Sequence, residues 1–264
     1  MLACFEVATA GETDTPQRER PPQEILESRF SRMRGMRVEN VDAQHLGSLK
    51  DFVVEIRTGD AKYALVAPSG LQNIRARSRI VPAHLLSNAT AKESTISLDI
   101  SLERWKNSPR IRKSELEGLN DPAREQQIQT YYLLTPAAPE KPREAGAKPK
   151  TREKEKSKAA EMKLASDLLG SKVINLQNQP MGRISDLLID LKGKKGAFVV
   201  VSESKLLKKN EKFVAPLRGA HILRAGELAI QASGLAFEQA RPFNDQAWQA
   251  LGTADWKKVY RFAD

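Results

Sequence analysis

Acidic side chains recur at matched positions in two parts of this chain, and they are the residues that come closest to a catalytic pattern. Glu55 follows Asp51 by four residues, and Asp190 follows Asp186 by four. Residues four apart in a strand point the same way, so each pair could present two carboxylates for acid–base chemistry. Both pairs also belong to a repeated motif that builds β-structure. Carboxylates that accept backbone N–H bonds of a turn explain this repetition better.

Other candidates for catalysis or metal binding are few. His84 and His221 each follow a proline that ends a predicted strand, but the pattern fixes no carboxylate, serine or cysteine beside them, which favours loop histidines. His45 is predicted to be a solvated turn residue. Cys4 is the only cysteine, which excludes an intramolecular disulfide framework and a cysteine-based zinc site. We therefore predict no catalytic residue, no metal site and no cofactor, so an enzyme is the least favoured class.

The elements that would position these side chains occur twice, and the second copy follows the first at a constant offset along the chain. Self-similarity at a fixed offset indicates a duplicated domain and argues against a single large enzyme core. Each copy contains two glycines, an aspartate and a proline in the same order: Gly35, Gly47, Asp51 and Pro82 in the first, and Gly170, Gly182, Asp186 and Pro216 in the second.

Both copies show short apolar runs separated by turn signals. The predicted strands are residues 37–41, 49–56, 62–67, 79–82 and 95–100 in the first copy, and residues 172–176, 184–191, 197–202, 213–216 and 227–232 in the second. Five or six such strands are typical of a small closed or half-closed β-barrel. Gly47 and Gly182 are expected to supply a turn conformation that other residues resist.

A short helical tail is predicted after each barrel, with Trp105 packed as core in the first tail and Asn120 or Asp121 as a possible helix N-cap. Residues 137–160 lack large apolar side chains and indicate a charged linker, in which 150–163 could form a solvated helix. The predicted fold is therefore mainly β, with these segments: leader 1–28, barrel 29–109, tail 110–136, linker 137–163, barrel 164–243 and aromatic tail 244–264.

The net charge of +10 is unevenly distributed, since residues 164–264 carry 15 basic and ten acidic side chains. The best candidate for a basic, nucleic-acid-binding surface is a loop of the second copy with four lysines: Lys205, Lys208, Lys209 and Lys212. No aromatic residues alternate with them to support base stacking. The linker is also basic, but its interleaved acids favour a solvated segment over an RNA or lipid site.

Three aromatic residues near the C-terminus, Trp248, Trp256 and Tyr260, could form an exposed partner surface. Docking of the tail onto the second barrel as core is the favoured interpretation. The leader is predicted to be disordered, which makes a cytoplasmic location the default. A start codon assigned too late would revive export or envelope association through a signal or lipoprotein leader.

The second copy contains the pattern Leu168-Leu169-Gly170-x-x-Val173, then Gly182-x-Ile184-x-Asp186-Leu187-x-x-Asp190, then Val214-x-Pro216. This pattern resembles the PRC-barrel family, named for the cytoplasmic barrel of the photosynthetic reaction centre H subunit. The resemblance covers residues 30–109 and 164–243. The first copy departs from it, with Arg34 where a leucine is usual and Glu55 in place of the second aspartate. Membership implies small barrels that act as adaptors for proteins or for a ribonucleoprotein, without catalysis or a cofactor.

These observations predict a non-enzymatic scaffold that binds a protein partner through two linked barrels, with the second as the main recognition module. Linkage would raise avidity if both barrels can engage at once. One alternative is RNA or ribosome binding through the basic second barrel and the linker. Another is peripheral association with an anionic membrane. The oligomeric state and the identity of the partner stay open.

Overall fold

The structure is a computed structural model that describes residues 29–68, 77–88, 95–133, 161–189, 191, 196–202, 212–224 and 226–231. These residues form two small β-domains, one for each copy of the repeat. The prediction of a mainly β protein with two barrel-like domains is confirmed.

The first domain is a β-sheet followed by a helical tail. Its elements are α1 (Phe30–Met33), β1 (Arg37–Glu39), β2 (His45–Glu55), β3 (Ala61–Pro68), β4 (Ser78–Pro82), a 3-10 turn (Ala83–Leu85), β5 (Leu86–Asn88), β6 (Thr95–Leu98), α2 (Leu102–Asn107), β7 (Arg110–Ile111), a 3-10 segment (Lys113–Asn120) and α3 (Pro122–Leu133). Its strands lie in the order β5-β6-β1-β2-β3-β4-β7.

The second domain repeats the arrangement. It is preceded along the chain by β8 (Met162–Leu164), and its elements are α4 (Ala165–Leu168), β9 (Lys172–Ile174), β10 (Pro180–Ile189), β11 (Ala197–Ser202), β12 (Phe213–Pro216), β13 (His221–Arg224) and β14 (Glu227–Ala229). Its strand order is β12-β11-β10-β9-β14-β13, so β9 occupies the place of β1 and β14 that of β6. In both domains this pair is parallel and the other pairs are antiparallel.

The long strands β2 and β10 begin earlier than the sequence predicts, and this changes the role of their glycines. Gly47 and Gly182 lie inside the strands, next to β-bulges in the pairing with β1 and β9. A Cβ at Gly47 would lie 2.1 Å from the carbonyl oxygen of Ala67, and one at Gly182 would lie 2.3 Å from that of Ser202. The glycines therefore allow two backbones to approach closely at a bulge, instead of forming a turn as predicted.

The hydrophobic core runs without interruption from one domain into the other. Phe30 of α1 is fully buried and makes an edge-to-face contact with Phe52 of β2, with ring centroids 6.4 Å apart. Ala165 and Leu168 of α4 are buried in the same core. Apolar side chains of both domains are removed from water in this shared core, and that burial holds the two domains together as one body.

Strand β8 changes the boundary of the predicted linker. Met162–Leu164 pairs with the end of β2 and adds a strand to the first domain's sheet, although the chain then continues into the second domain. The helix predicted for residues 150–163 therefore does not include these residues. Residues 137–160 lie outside the described part of the chain.

Candidate functional site

Asp51 connects the first domain to the start of the second. Its Oδ1 accepts the backbone N–H groups of Phe52 at 2.9 Å and of Ser166 at 3.1 Å. Its Oδ2 accepts the Ser166 hydroxyl at 2.5 Å. Only 4% of Asp51 is exposed. Asp51 thus accepts backbone N–H bonds, but the donors lie in β2 and in α4 instead of a turn as predicted, and Ser166 comes from the other copy of the repeat.

Asp186 makes the same connection in the opposite direction. Its Oδ1 accepts the N–H groups of Leu187 at 2.9 Å and of Ser31 at 3.1 Å, and its Oδ2 accepts the Ser31 hydroxyl at 2.5 Å. Arg29 adds an ion pair, with Nε 3.0 Å from Oδ2. Asp186 is 2% exposed. We call these two sets of contacts, Asp51 with Ser166 and Asp186 with Ser31 and Arg29, the reciprocal clasp.

The reciprocal clasp has the symmetry of a two-fold interface. Ser31 and Ser166 are separated by the offset of the repeat, and so are Asp51 and Asp186. Each serine therefore contacts the aspartate of the opposite copy. In a two-fold, or isologous, contact the same pair of positions meets twice, once with each copy supplying each partner.

The backbone follows the same rule. Leu164 of β8 pairs with Val53, and Arg29 makes an isolated antiparallel bridge with Leu188. Arg29 and Leu164 are again equivalent positions of the two copies, as are Val53 and Leu188. The segment that leads into each barrel thus joins the long strand of the other, and the two copies are related by an approximate two-fold axis.

Burial has the largest effect on the pKa of Asp51, the carboxylate in the first half of the reciprocal clasp. Desolvation raises the pKa of the Asp51 carboxyl, and the bonds from Ser166 and Phe52 together with the charge of Arg34 oppose this rise. Both oxygens of the carboxylate accept bonds that hold protein segments in place. The arrangement therefore supports a structural role and offers no support for acid–base chemistry.

Glu55 does not form the carboxylate pair with Asp51 that the four-residue spacing suggested. Both oxygens of Asp51 are already occupied by the bonds from Phe52 and Ser166. Glu55 is buried and pairs with the ammonium group of Lys62 at 3.3 Å. Asp190, its counterpart in the second copy, lies outside the described residues.

A tight turn of the first domain provides further contacts between the domains. The carbonyl oxygen of Gly59 accepts the N–H of Ala197 at 2.5 Å, and the carbonyl oxygen of Arg57 accepts that of Gly219 at 2.9 Å. Gly59 has φ +73°, and a Cβ there would lie 2.6 Å from the backbone nitrogen of Arg218. Glycine is therefore required both by the backbone conformation and by the close approach.

Two equivalent turns, one in each domain, are organised around a buried asparagine. In residues 40–44, Oδ1 of Asn40 accepts the N–H groups of Asp42 at 3.1 Å and of Gln44 at 2.8 Å. Its Nδ2 also donates to Oε1 of Gln44 at 2.8 Å, and only 4% of Asn40 is exposed. This is an Asx-type turn closed by a second side chain.

Residues 175–179 repeat this network. Oδ1 of Asn175 accepts the N–H groups of Gln177 at 3.0 Å and of Gln179 at 2.8 Å, and its Nδ2 donates to Oε1 of Gln179 at 2.7 Å. Both turns contain a residue with positive φ at the same position, Ala43 at 57° and Asn178 at 60°. We call residues 40–44 and 175–179 the tip turns.

Each tip turn exposes an aliphatic side chain directly after its buried asparagine. Val41 is 70% exposed and Leu176 is 60% exposed. They occupy equivalent positions of the two copies. Single exposed apolar residues are ordinary on protein surfaces. The same exposed position in both copies, on a turn built in the same way, is a repeated feature.

The tail of the first domain packs against its own sheet, as predicted for Trp105. The indole is 3% exposed and donates its Nε1–H to the carbonyl oxygen of Leu46 at 2.9 Å. Tyr132 of α3 donates its hydroxyl to the carbonyl oxygen of Ile80 at 2.8 Å. Asp121 accepts the N–H of Ala123 at 3.0 Å, which confirms the predicted cap of α3.

Arg79 is a buried cation beneath this tail. Burial lowers the pKa of its guanidinium group. The guanidinium donates to the carbonyl oxygens of Lys106 at 3.1 Å and Ser108 at 3.2 Å, and it lies over the Trp105 ring. The carbonyl end of α2 and the indole face thus stabilise its charge. The contacts indicate a structural role.

The histidines are not brought together. His84 lies exposed in the 3-10 turn after β4, whereas His221 is exposed on β13, so they are not equivalent. His45 begins β2, where the prediction placed a turn, and its Nε2 donates to the carbonyl oxygen of Gly47 at 2.9 Å. Among the described residues, no three His, Cys, Asp or Glu side chains are placed to hold a metal ion. The described helices are all too short or too polar to cross a membrane.

The remaining predicted residues divide between fold positions and the undescribed part of the chain. Gly35 and Gly170 have φ of 89° and 76° after α1 and α4, and Pro82 and Pro216 end β4 and β12. Of the basic surface, Lys212 is partly exposed beside β12. The other predicted surface residues lie outside the described residues: Lys205, Lys208, Lys209, Trp248, Trp256 and Tyr260.

Sequence reasoning missed the serines of the clasp and the asparagines of the tip turns. Ser31 and Ser166 lie upstream of the segment in which the repeat is easiest to see, yet they have the same offset as the rest of the repeat. Asn40 and Asn175 belong to the repeat itself. When the two copies are aligned from residue 29 onward, all four are polar residues that coincide between the copies.

Comparison with known proteins identifies the family of both domains. The family model for the PRC-barrel domain matches residues 26–103 and 160–234, over half of the chain. A solved structure of a Pseudomonas aeruginosa protein, RimM, provisionally assigned to 16S ribosomal RNA processing, is 16% identical. The match covers 36% of this chain and 50% of that one, with a TM-score of 0.22. The chain thus spans about half of that protein, and no curated protein matches it. The two matched regions, each containing one clasp aspartate and one tip turn, show that the chain belongs to the PRC-barrel domain family.

Proposed function

We propose that this protein is a non-catalytic scaffold that binds a protein partner through the two tip turns of one rigid two-barrel body. The reciprocal clasp and the continuous core support the single body. This changes how the binding surfaces of the two barrels are expected to be connected. The spacing between the binding surfaces is set by domain packing, whereas the sequence suggested a flexible linker.

The observation that carries the proposal is the repeated exposure of Val41 and Leu176. Burying an aliphatic side chain of this size contributes roughly 1.5–3 kcal/mol, so a partner that covers both side chains gains apolar contact energy at each turn. The buried Asn40 and Asn175 hold each turn in shape, so little conformational entropy is lost when a partner binds.

The local charge favours a protein over an anionic surface. Asp42 follows Val41 and is exposed, and Glu39 precedes the same turn. The Asp42 carboxylate would repel phosphate groups of RNA or of lipids at the first tip turn, whereas the charge of Glu39 is balanced by its ion pair with Arg37. The RNA and membrane alternatives depend on the linker and on a lysine cluster of which only Lys212 is described, and they remain outcomes of the test.

The test uses a photo-reactive amino acid placed at position 41 or 176 of the full chain in its native cell. Two matched controls carry it at Leu133 and Leu223, which are also exposed, at 67% and 53%, but are not matched by an exposed aliphatic residue among those described in the other copy. We expect positions 41 and 176 to cross-link a protein and the controls to cross-link it much less.

Equal labelling at all four positions would refute the proposal. Cross-links from the tip turns to RNA or lipid would refute it in favour of an alternative. Single substitutions Val41→Ser and Leu176→Ser should remove the cross-links of the reporter at the opposite tip turn, with Leu133→Ser and Leu223→Ser as controls. Because these side chains are exposed, the variants should keep the wild-type unfolding midpoint.

A further inference from the structure

We propose that the partner is itself two-fold symmetric, a homodimer or a protein with two copies of one module, and that each half presents an apolar socket with hydrogen-bond donors at its rim. This inference rests on the proposed function, since it describes the partner of the same tip turns. It depends on the exposed side chains that the two tip turns share and on the approximate two-fold axis that relates one turn to the other.

The first step is the symmetry. Two kinds of contact repeat with the domains exchanged: the serine–aspartate bonds Ser31–Asp186 and Ser166–Asp51, and the backbone pairings Leu164–Val53 and Arg29–Leu188. They define an approximate two-fold axis between the barrels. The tip turns occupy equivalent positions in the two barrels, so the same axis exchanges Val41 with Leu176.

The second step is rigidity. Each tip turn is closed by three hydrogen bonds of its buried asparagine. The barrels that carry the turns are joined by the clasp and by the bonds of Arg57 and Gly59 to the second domain. The distance and orientation between the two aliphatic side chains are therefore fixed by packed structure.

The third step is chemistry. The residue after the exposed aliphatic one is Asp42 in the first tip turn and Gln177 in the second, and both are exposed. A carboxylate and a side-chain amide share an oxygen acceptor, although they differ in charge. A single type of socket serves both turns if it is apolar within and offers N–H or O–H donors at its rim.

A two-fold partner follows from these three steps. A partner with one socket can engage only one tip turn, which leaves the other aliphatic side chain in water. A partner with two equivalent sockets about its own axis can engage both together when the spacing of its sockets matches that of Val41 and Leu176. The second contact is then intramolecular, which can strengthen binding by a factor of about 100 or more when the spacings match.

The experiment maps where the two tip turns touch the partner. Photo-reactive residues at positions 41 and 176 are used in separate samples, and the cross-linked partner peptides are sequenced. We expect both positions to label the same partner peptide. Light scattering of the purified complex should give one copy of this chain with two partner modules.

Affinity measurements on that complex test the chemistry. Val41→Ser or Leu176→Ser alone should each weaken binding by roughly 100-fold, because either change removes the second contact. Asp42→Lys should weaken binding by about tenfold, while Asp99→Lys, an exposed control, should not.

The outcomes separate this inference from the proposed function. Cross-links from positions 41 and 176 to different partner peptides, or a complex with a single partner module, would overturn the two-fold partner and leave the scaffold function standing. No protein cross-link from either position would overturn both.

Discussion

The two halves of the reciprocal clasp are built on the same residues but differ in charge. Asp51 and Asp186 are both buried, and each accepts the N–H of the following residue and the N–H and hydroxyl of a serine from the other copy. Asp186 has an arginine as well, because Arg29 stands where the other copy has Leu164. One half is thus an ion pair, and the other is a carboxylate held by neutral groups.

This difference shows how a duplicated contact can diverge without changing its geometry. The serine–aspartate bonds preserve the two-fold arrangement. The residue two positions before each serine sets the electrostatics of each half. Leu164 instead contributes to the hydrophobic core and to the strand β8. The four predictions that follow test this comparison, from the largest expected effect to the smallest.

Removing each carboxylate should give the largest difference in unfolding free energy between the two halves of the reciprocal clasp. Asp186→Ala leaves Arg29 without its ion-pair partner and Ser31 without its acceptor, and we expect a loss of about 3–5 kcal/mol in the free energy of unfolding. Asp51→Ala leaves only neutral donors and also removes a desolvated charge. We expect about 2 kcal/mol.

Chemical denaturation of the full chain gives both values. The double change Arg29→Leu with Asp186→Ala serves as the control, because it removes the unpaired cation and should recover part of the loss. Equal losses for Asp51→Ala and Asp186→Ala would show that the arginine makes no difference to the clasp.

A methyl group at Gly59 should disturb the contact of this turn with the second domain. The new Cβ would lie 2.6 Å from the backbone nitrogen of Arg218, and φ is +73°, so we expect a loss of about 2–4 kcal/mol. Gly170→Ala is the matched control. It has nearly the same φ, +76°, with no atom within 4 Å of the new Cβ, and it should lose only about 1–2 kcal/mol.

Thermal unfolding compares these two glycine variants directly. If Gly59→Ala were no less stable than Gly170→Ala, the close approach between this turn and the second domain would be wrong.

The serine substitutions should destabilise the two halves of the clasp in the opposite order from the aspartate substitutions, with Ser166→Ala more destabilising than Ser31→Ala. Ser166→Ala removes the side-chain donor to Asp51 Oδ2, and we expect a loss of about 2 kcal/mol. Ser31→Ala leaves Arg29 bound to the same oxygen of Asp186, so we expect about 1 kcal/mol. Double-mutant cycles with the aspartate variants would measure each coupling, and a larger coupling for Ser31 would contradict the comparison.

The pH dependence of Asp51 should be the smallest effect. Burial raises the pKa of this carboxyl in the folded protein above its value in the unfolded chain. The folded state therefore takes up the proton first as the pH falls, so this residue's contribution to the unfolding free energy increases through the raised pKa and levels off below the ordinary value. Asp51→Asn lacks this contribution.

Comparing wild type with Asp51→Asn across acidic pH isolates that single group. We expect the stability of the wild type to rise relative to the variant as the pH falls. A relative decrease would mean that the carboxylate is better stabilised in the folded protein than in water.

Much of the fold can be predicted from this sequence because the repeat and its apolar runs have local causes. The runs at 197–202 and 213–216 form strands at the predicted residues, and Trp105 is buried as expected. Boundaries near Gly47 and Gly182 could not be predicted correctly, since a glycine that permits close approach in a bulge has the same sequence signal as one in a turn.

The candidate site was predicted less well, because it depends on which copy supplies each partner. The carboxylate acceptors Asp51 and Asp186 were recognised, but their serine donors come from segments 115 and 155 residues away. The spacing of Asp51 and Glu55 failed to predict their contacts, because Asp51 binds Ser166 of the other copy and Glu55 pairs with Lys62. Exposure of Val41 and Leu176 depends on the tertiary surroundings of each turn.

Cutting the chain between the two barrels tests the reciprocal clasp most directly. A specific protease site is placed within residues 137–160, and the cleaved protein is passed over a sizing column at micromolar concentration. The clasp predicts that the two halves elute together as a one-to-one complex, and that the combined changes Asp51→Ala and Asp186→Ala separate them. Elution of the wild-type halves as two separate folded domains would contradict the existence of a single two-barrel body.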